Sequence, residues 1–310
     1  MSKTYTKLLV LSSLLLATNA YAGCEVLHGH GEIICSGNAA TVSPGGALPI
    51  VLQNDFATAF EASAPVDVLE DVTPTPGATA NQAAVGLECG WSTDKTNGDT
   101  NFCSLPLSYT IHNEIDPRRR LTLKMPITRV DSDSPTSSGK TYHVGFGASY
   151  TYPLAARWFV TPSLNYTYAA MGDFQVKTDL VSTSLTSTYF FKDGGFDFSL
   201  GNMIGYARTA NESADSGLPP PPKMKFNTLR NGMMASKPGA LFGKKVYWEG
   251  AVVHTVFSGT QTFTDSQFEI SLTVGDKRSY KVTAGGYRFG VTLFDAGQVN
   301  GGKIAFGYWF

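Results

Sequence analysis

The sequence predicts an all-β fold, a transmembrane antiparallel barrel, and three observations predict it. Apolar and polar residues alternate with period two through most of residues 105–310. Charged residues make up only 16% of the 310-residue chain, against roughly 25% in soluble domains, while Gly (32), Phe (19) and Tyr (14) are abundant. After about the first twenty residues no apolar run is long enough for a helical membrane span, so a membrane protein of this sequence must cross with strands. The formal net charge of −1 gives no electrostatic case for nucleic acid.

Residues 1–22 read as a cleaved secretory signal. Lys3 and Lys7 form a basic start, residues 8–17 are apolar, and Ala20-Tyr21-Ala22 is a small-x-small cleavage site. Tyr21-Ala22-Gly23-Cys24 also resembles a lipoprotein cleavage box, but Tyr21 stands where an aliphatic residue is usual, and lipidated Cys24 would leave an odd cysteine. Export permits disulfides among Cys24, Cys35, Cys89 and Cys103. Of the three pairings the local one, Cys24 with Cys35 and Cys89 with Cys103, is simplest, each closed loop adding about 3 kcal/mol. His28-Gly29-His30 lacks a third ligand at a recognisable spacing and reads as a turn, so no metal or cofactor is expected.

Residues 23–47 form a lead-in and candidate plug, and 48–310 the barrel. Residues 49–62 alternate imperfectly and are taken as the first strand. Residues 63–104, rich in Pro, Gly and polar residues, read as a long surface loop stapled near its end by Cys89 and Cys103. Strands then follow at 105–113, 120–130, 141–152, 158–168, 178–191, 196–207, 226–234, 246–257, 267–274, 280–293 and 303–310, for about twelve in all. In 141–152, Tyr142, Val144, Phe146, Ala148, Tyr150 and Tyr152 share one face, with Thr141, His143, Gly145, Gly147, Ser149 and Thr151 behind. In 280–293 the phase breaks at Gly285-Gly286, where a one-residue bulge would restore a single apolar face. The connections alternate. Residues 114–119, 153–157, 192–195, 237–245 and 275–278 are short and mostly basic, as periplasmic turns would be. Residues 131–140, 169–177, 209–225, 258–266 and 295–302 are polar and mostly longer, as surface loops would be.

Several motifs carry a family resemblance: Arg118-Arg119-Arg120-Leu121-Thr122-Leu123-Lys124-Met125-Pro126-Ile127, Trp158-Phe159-Val160-Thr161-Pro162-Ser163-Leu164, Gly201-Asn202-Met203-Ile204-Gly205-Tyr206, Leu229-Arg230-Asn231-Gly232-Met233-Met234 and the terminal Phe306-Gly307-Tyr308-Trp309-Phe310. In this order, with 182–189 between the second and third, they resemble autotransporter-type barrels, in particular solitary ones without a large passenger. The resemblance covers about residues 105–310. It implies an outer-membrane location, contact with outer-membrane lipid and lipopolysaccharide, and delivery by the barrel-assembly machinery through a C-terminal signal, Phe306, Tyr308 and Phe310. The roughly eighty residues ahead of these strands show no long amphipathic helix, so secretion of a cargo is not expected.

A charge facing lipid would cost about 2–4 kcal/mol at midplane, so the polar face should line the lumen. The residues expected there are Lys124, His143, Asn165, Asp197, Glu249, Glu269, Arg288 and Lys303. The function expected is structural or pore-forming, with an open or plugged lumen and no catalysis. The alternatives are a porin-like channel for small solutes, contact with cell-surface partners through loops 63–104 and 209–225, and a hydrolase built on His143 with Ser149 or Ser163. His254 shares its face with Val252 and Val256 and is expected toward lipid.

Overall fold

The structure, a computed structural model, describes residues 81–94, 98–133, 138–171, 176–214, 223–259, 264–276, 285–297 and 299–310. These residues form β1 (Gln82–Asp94), β2 (Gly98–His112), β3 (Arg120–Asp133), β4 (Ser138–Ala155), β5 (Trp158–Met171), β6 (Val176–Asp193), β7 (Phe196–Ala214), β8 (Lys225–Leu241), β9 (Lys244–Gly259), β10 (Ser266–Gly275), β11 (Gly286–Ala296) and β12 (Val299–Trp309). Each strand pairs antiparallel with the next, and β1 closes the barrel against β12. The closing seam runs from Ala84 opposite Trp309 to Asp94 opposite Val299. Phe310 and Ala83 extend it by exchanging two backbone hydrogen bonds of 3.0 and 2.9 Å. Hydrocarbon offers no partner to a bare strand edge, and this seam removes the last one.

Period two sets the two faces. On β4, Tyr142, Val144, Phe146 and Tyr150 are exposed on the outside, while Thr141, His143, Ser149 and Thr151 are buried. The outer wall is apolar around the barrel, with Leu87, Phe146, Leu164, Ile204, Leu272, Leu293 and Phe306 all exposed. Tyr109, Tyr152, Trp158, Tyr189, Trp248, Tyr287 and Tyr308 lie toward the end that carries the C-terminus. There Arg119 sits 4.8 Å from the Tyr152 ring centre and Lys237 5.1 Å from that of Phe196, the pairing of cation and aromatic suited to a membrane interface.

The strands run longer than the sequence predicts. β7 has 19 residues, which at about 3.3 Å per residue and a tilt near 40° rises roughly 48 Å, beyond the apolar band of about 25 Å. Strand therefore replaces much of the expected loop length at the end away from the termini, and 297–298 alone joins β11 to β12. At the opposite end β6–β7 and β8–β9 close in two residues. Gly194 and Gly195 have φ of 57° and 79°, and Phe242 and Gly243 have 49° and 77°. Positive φ at both turn positions matches the right-handed twist of the flanking strands.

One strand sits where the sequence predicts a loop. β1 and the start of β2 occupy 82–104, within the stretch read as surface loop. The outer residues Val85, Leu87, Cys89 and Trp91 do alternate, but Gly86, Gly90 and Ser92 between them carry no strand signal of their own. Cys89 and Cys103 are direct cross-strand partners and are disulfide-bonded, so they link the β1–β2 wall on its outer face rather than stapling a loop. The expected signal segment, Cys24, Cys35, the strand expected at 49–62 and residues 280–284 of the strand expected at 280–293 lie outside the described residues, while Gly285-Gly286, where the bulge was expected, stands at the start of β11.

Pro106 and Pro126 oppose each other in the middle of β2 and β3. Pairing is continuous between those strands but lapses at Gly86–Leu87 toward β1 and at Met125–Pro126 toward β4. The two missing N–H groups thus fall on opposite sides of the pair. A Cβ on Gly86 would come 2.9 Å from the Pro106 ring, and one on Gly145 2.9 Å from Pro126, so glycine on each outer neighbour makes room.

The two-faced wall predicts an asymmetric response to charge. Ile270→Arg places a cation on the outer face and is expected to cost about 2–4 kcal/mol in urea unfolding from lipid vesicles, against about 0.5 kcal/mol or less for Ser271→Ala on the inner face.

Candidate functional site

The inner face is the candidate site, and it divides into three sectors. On β2 to β6 it is built from hydroxyls and amides that bridge neighbouring strands. Ser104 meets Thr128 at 2.8 Å, Thr151 meets Thr161 at 3.1 Å, Ser163 meets Ser184 at 2.7 Å, and Asn165 Nδ2 donates to Ser182 Oγ at 3.2 Å. Gly147 leaves the space that the Asn165 amide occupies. On β6 to β9 the face is apolar, with Leu180, Met203, Ala207, Phe226, Val253 and Phe257 packed together with Met224, which just precedes β8.

The third sector, from β8 through β12 to β1, holds three charge pairs. Arg230 Nη2 bonds Glu269 Oε1 at 2.8 Å, and Gln267 Nε2 donates to the same oxygen at 3.2 Å. Arg288 grips Glu249 with both terminal nitrogens, Nη2 to Oε1 at 2.8 Å, and its Nη2 also reaches the Asp276 carbonyl at 3.3 Å. Lys303 Nζ lies 3.4 Å from Glu88 Oε2. Arg230, Glu249 and Glu269 are each at most 5% exposed. At such depth a carboxylate is tolerable only with a cation beside it.

The residues expected in the lumen are distributed as follows. Lys124, His143, Asn165, Glu249 and Glu269 are buried, and Arg288 and Lys303 are half-buried. Asp197 lies beside the β6–β7 turn, 3.5 Å from Lys192. Glu249 with Arg288 are brought together, but Lys124, His143 and Asn165 lie in the hydroxyl sector, away from the three pairs. Sequence reading did not single out Glu88 or Arg230. Arg230 was legible in hindsight, since it alternates with the outward Leu229 and Met233. Glu88 lay in the presumed loop.

His143 sits opposite Thr128 and Ala169, whereas Ser149 sits opposite Ser163. Six residues of extended strand separate His143 from Ser149, about 20 Å, so no hydrogen bond joins this histidine to either serine. His254 is exposed on the outer wall. Phe306, Tyr308 and Phe310 line the outer edge of β12 and its end, with exposures of 48%, 42% and 61%.

The turn between β2 and β3 is held by Asp116. Its carboxylate takes two bonds from the Arg118 guanidinium at 2.9 and 3.1 Å, and Arg119 lies 3.8 Å away. Burial pushes this carboxyl up, but the Arg118 hydrogen bonds and the two nearby guanidinium charges together outweigh it and hold the pKa below its ordinary 3.8.

No family model and no curated protein matches this chain. Solved structures do. The barrel is similar in fold to autotransporter translocator domains. The beta domain of the Bordetella autotransporter BrkA aligns over 74% of this chain and 99% of its own, with TM-score 0.57 and 14% identity. The translocator domain of NalP from Neisseria meningitidis aligns over 88% of this chain and 99% of its own, with TM-score 0.61 and 10% identity. At such identities the likeness is one of architecture, a closed antiparallel barrel of the outer-membrane type.

Two outcomes test the electrostatics. Glu269→Ala removes the carboxylate that Arg230 Nη2 bonds and is expected to cost about 3–5 kcal/mol, while Arg230→Met with Glu269→Leu should recover most of that loss in equilibrium unfolding. The Asp116 contribution is present above the ordinary carboxylate pKa and lost as pH falls through the lowered folded value. An NMR titration of its carboxyl should therefore show a midpoint below 3.8 that rises in Arg118→Gln.

Proposed function

We propose that this chain is an integral outer-membrane barrel of the solitary autotransporter-like kind, whose polar lumen is closed by a plug and which carries out no catalysis. The observation that carries this reading is the inner wall itself. A polar inner wall is what a barrel lumen that meets water or a polar filling segment requires. Here two of three sectors present hydroxyls, amides and ion-paired charges. Yet Thr141, Thr161, Thr167, Thr186, Arg230 and Thr255 are all at most 3% exposed, which argues for a filled lumen rather than a wide aqueous one. The wall of 12 strands is wide enough to enclose a narrow channel once a filling segment is removed. β1 begins beside the C-terminus, so Gln82 stands at the mouth at that end. Residues 23–47 are the plug in this reading, and Lys124, His143, Asn165, Glu249, Glu269, Arg288 and Lys303 line the conduit it closes.

The location is the outer membrane, reached after signal cleavage. Outer-membrane lipid and lipopolysaccharide meet the apolar wall, and the barrel-assembly machinery receives Phe306, Tyr308 and Phe310 on the outward face of β12. The spacing of His143 from Ser149 and Ser163 supports the non-catalytic reading over a hydrolase built on those residues.

Single-channel recording in a planar bilayer tests the proposal. The refolded chain from Gly23 is expected to be silent or to open rarely, and a chain beginning after residue 47 to conduct steadily, with Glu249→Gln changing its cation preference. Steady conductance from the longer chain would replace the plugged reading with a porin-like one. Silence in both, from material whose folded barrel is confirmed by heat-modifiable gel mobility, would overturn the conduit altogether.

A further inference from the structure

The outer wall is largely apolar; besides scattered outward polar residues such as Thr183, Asn227 and Ser258, one continuous polar row crosses it. Ser187 on β6, Asn202 on β7, Asn231 on β8 and His254 on β9 are direct cross-strand partners, each opposite the next. All four point outward, with Asn202 and His254 exposed and Ser187 and Asn231 half-buried. They do not mark the rim of the apolar band. Two residues along each strand, in both directions, the outward side chains are apolar: Leu185 and Tyr189, Leu200 and Ile204, Leu229 and Met233, Val252 and Val256. The row ends at Phe268, opposite His254, and at Val160, opposite Ser187; the Trp158 indole N–H donates to Ser187 Oγ at 2.8 Å. Among the described residues no such row interrupts the wall on β10 to β12. Ile270 and Leu272, Val291 and Leu293, Ile304 and Phe306 succeed one another on β10, β11 and β12.

Acyl chains offer no donor or acceptor to these groups, so the row is costly against lipid and calls for a partner that hydrogen-bonds. Its chemistry selects the partner. An asparagine amide both donates and accepts, and so does a neutral imidazole, so the row is complementary to itself. Self-complementarity is what a two-fold interface demands, because the same patch must serve on both sides. With the axis along the membrane normal, two facing rows cross, and the central Asn202 and Asn231 lie nearest the crossing. The adjoining surface permits close approach. Ala235 and Gly250 are cross-strand partners four residues along β8 and β9 from Asn231 and His254, and nothing lies within 4 Å of where a Gly250 Cβ would stand.

We propose that the β6–β9 wall is a self-association surface, occupied in the membrane by a second copy of this chain through Asn202 and Asn231. The inference rests on the wall facing lipid, and its test separates the two claims. Asn231→Cys is placed in the full chain in outer-membrane vesicles and oxidised, with Ile127→Cys on the far wall as the control and the unsubstituted chain, with its 4 cysteines, as background. Heat-modifiable mobility reports separately that each variant is a folded barrel. A disulfide-linked homodimer is expected from Asn231→Cys and not from Ile127→Cys. Asn202→Leu introduced with Asn231→Cys should weaken the dimer band, because the second amide pair is gone. Folded Asn231→Cys that stays monomeric, that crosslinks no better than Ile127→Cys, or that is captured by a protein of different mass would overturn the proposal.

Discussion

Closure of the backbone ladder is the constraint on which everything else in this molecule depends. Within hydrocarbon an unpaired N–H or C=O has no water to turn to, so a wall of strands is stable only when its two edges meet. Here the edges are β1 and β12, more than two hundred residues apart in sequence, and they meet over most of β1, from Ala84 to Asp94. Even the last residue is used, since Phe310 and Ala83 satisfy each other's backbone groups. The prolines obey the same constraint. Pro106 and Pro126 sit where their missing N–H groups fall on separate seams, and Gly86 and Gly145 leave room for their rings.

Once the wall is closed, its two faces are held to opposite rules. Outside, a polar group needs a reason. Inside, an apolar group needs company and a charge needs a partner. The inner face of β2 to β6 meets its rule with short side chains that bridge strands, such as Ser163 with Ser184 and Asn165 with Ser182. The face from β8 to β1 meets it with guanidinium and ammonium groups set against carboxylates. Buried pairs of this kind add little net stability, but losing one member is costly, so they fix the identity of residues that sequence alone would let vary. The polar row on β6 to β9 breaks the outer rule over four adjacent strands.

Much of this was legible in the sequence. The strict alternation of 141–152 and 158–168 assigns the outward Phe146 and Leu164 and the inward His143 and Asn165, because the side-chain period of a strand is two and one residue of slippage would invert both faces. The turns at Gly194-Gly195 and near Gly243 were marked by residues that accept positive φ. What stayed hidden was hidden for physical reasons. β1 carries small and polar residues on its inner face, so Gly86, Gly90 and Ser92 mimic a loop, and the pairing of Cys89 with Cys103 reads equally well as the staple of a loop or the rung of a hairpin until the register is known. The ion pairs join residues that no local pattern relates: Arg230 finds Glu269 from two strands away, and Lys303 reaches Glu88 across the closing seam. Fold likeness to translocator domains at 14% and 10% identity fits this division, since the alternation is kept while the inner chemistry is free to differ.

Closure through β1 is tested most directly by amide hydrogen exchange on the folded barrel in lipid nanodiscs. Amides of Ala84–Asp94 and of Val299–Trp309 should be protected together, to the level of the continuous β6–β7 pair, because each supplies the other's hydrogen bonds. Rapid exchange over Ala84–Asp94 with strong protection in residues 49–62 would contradict this account and return the closing strand to the earlier segment.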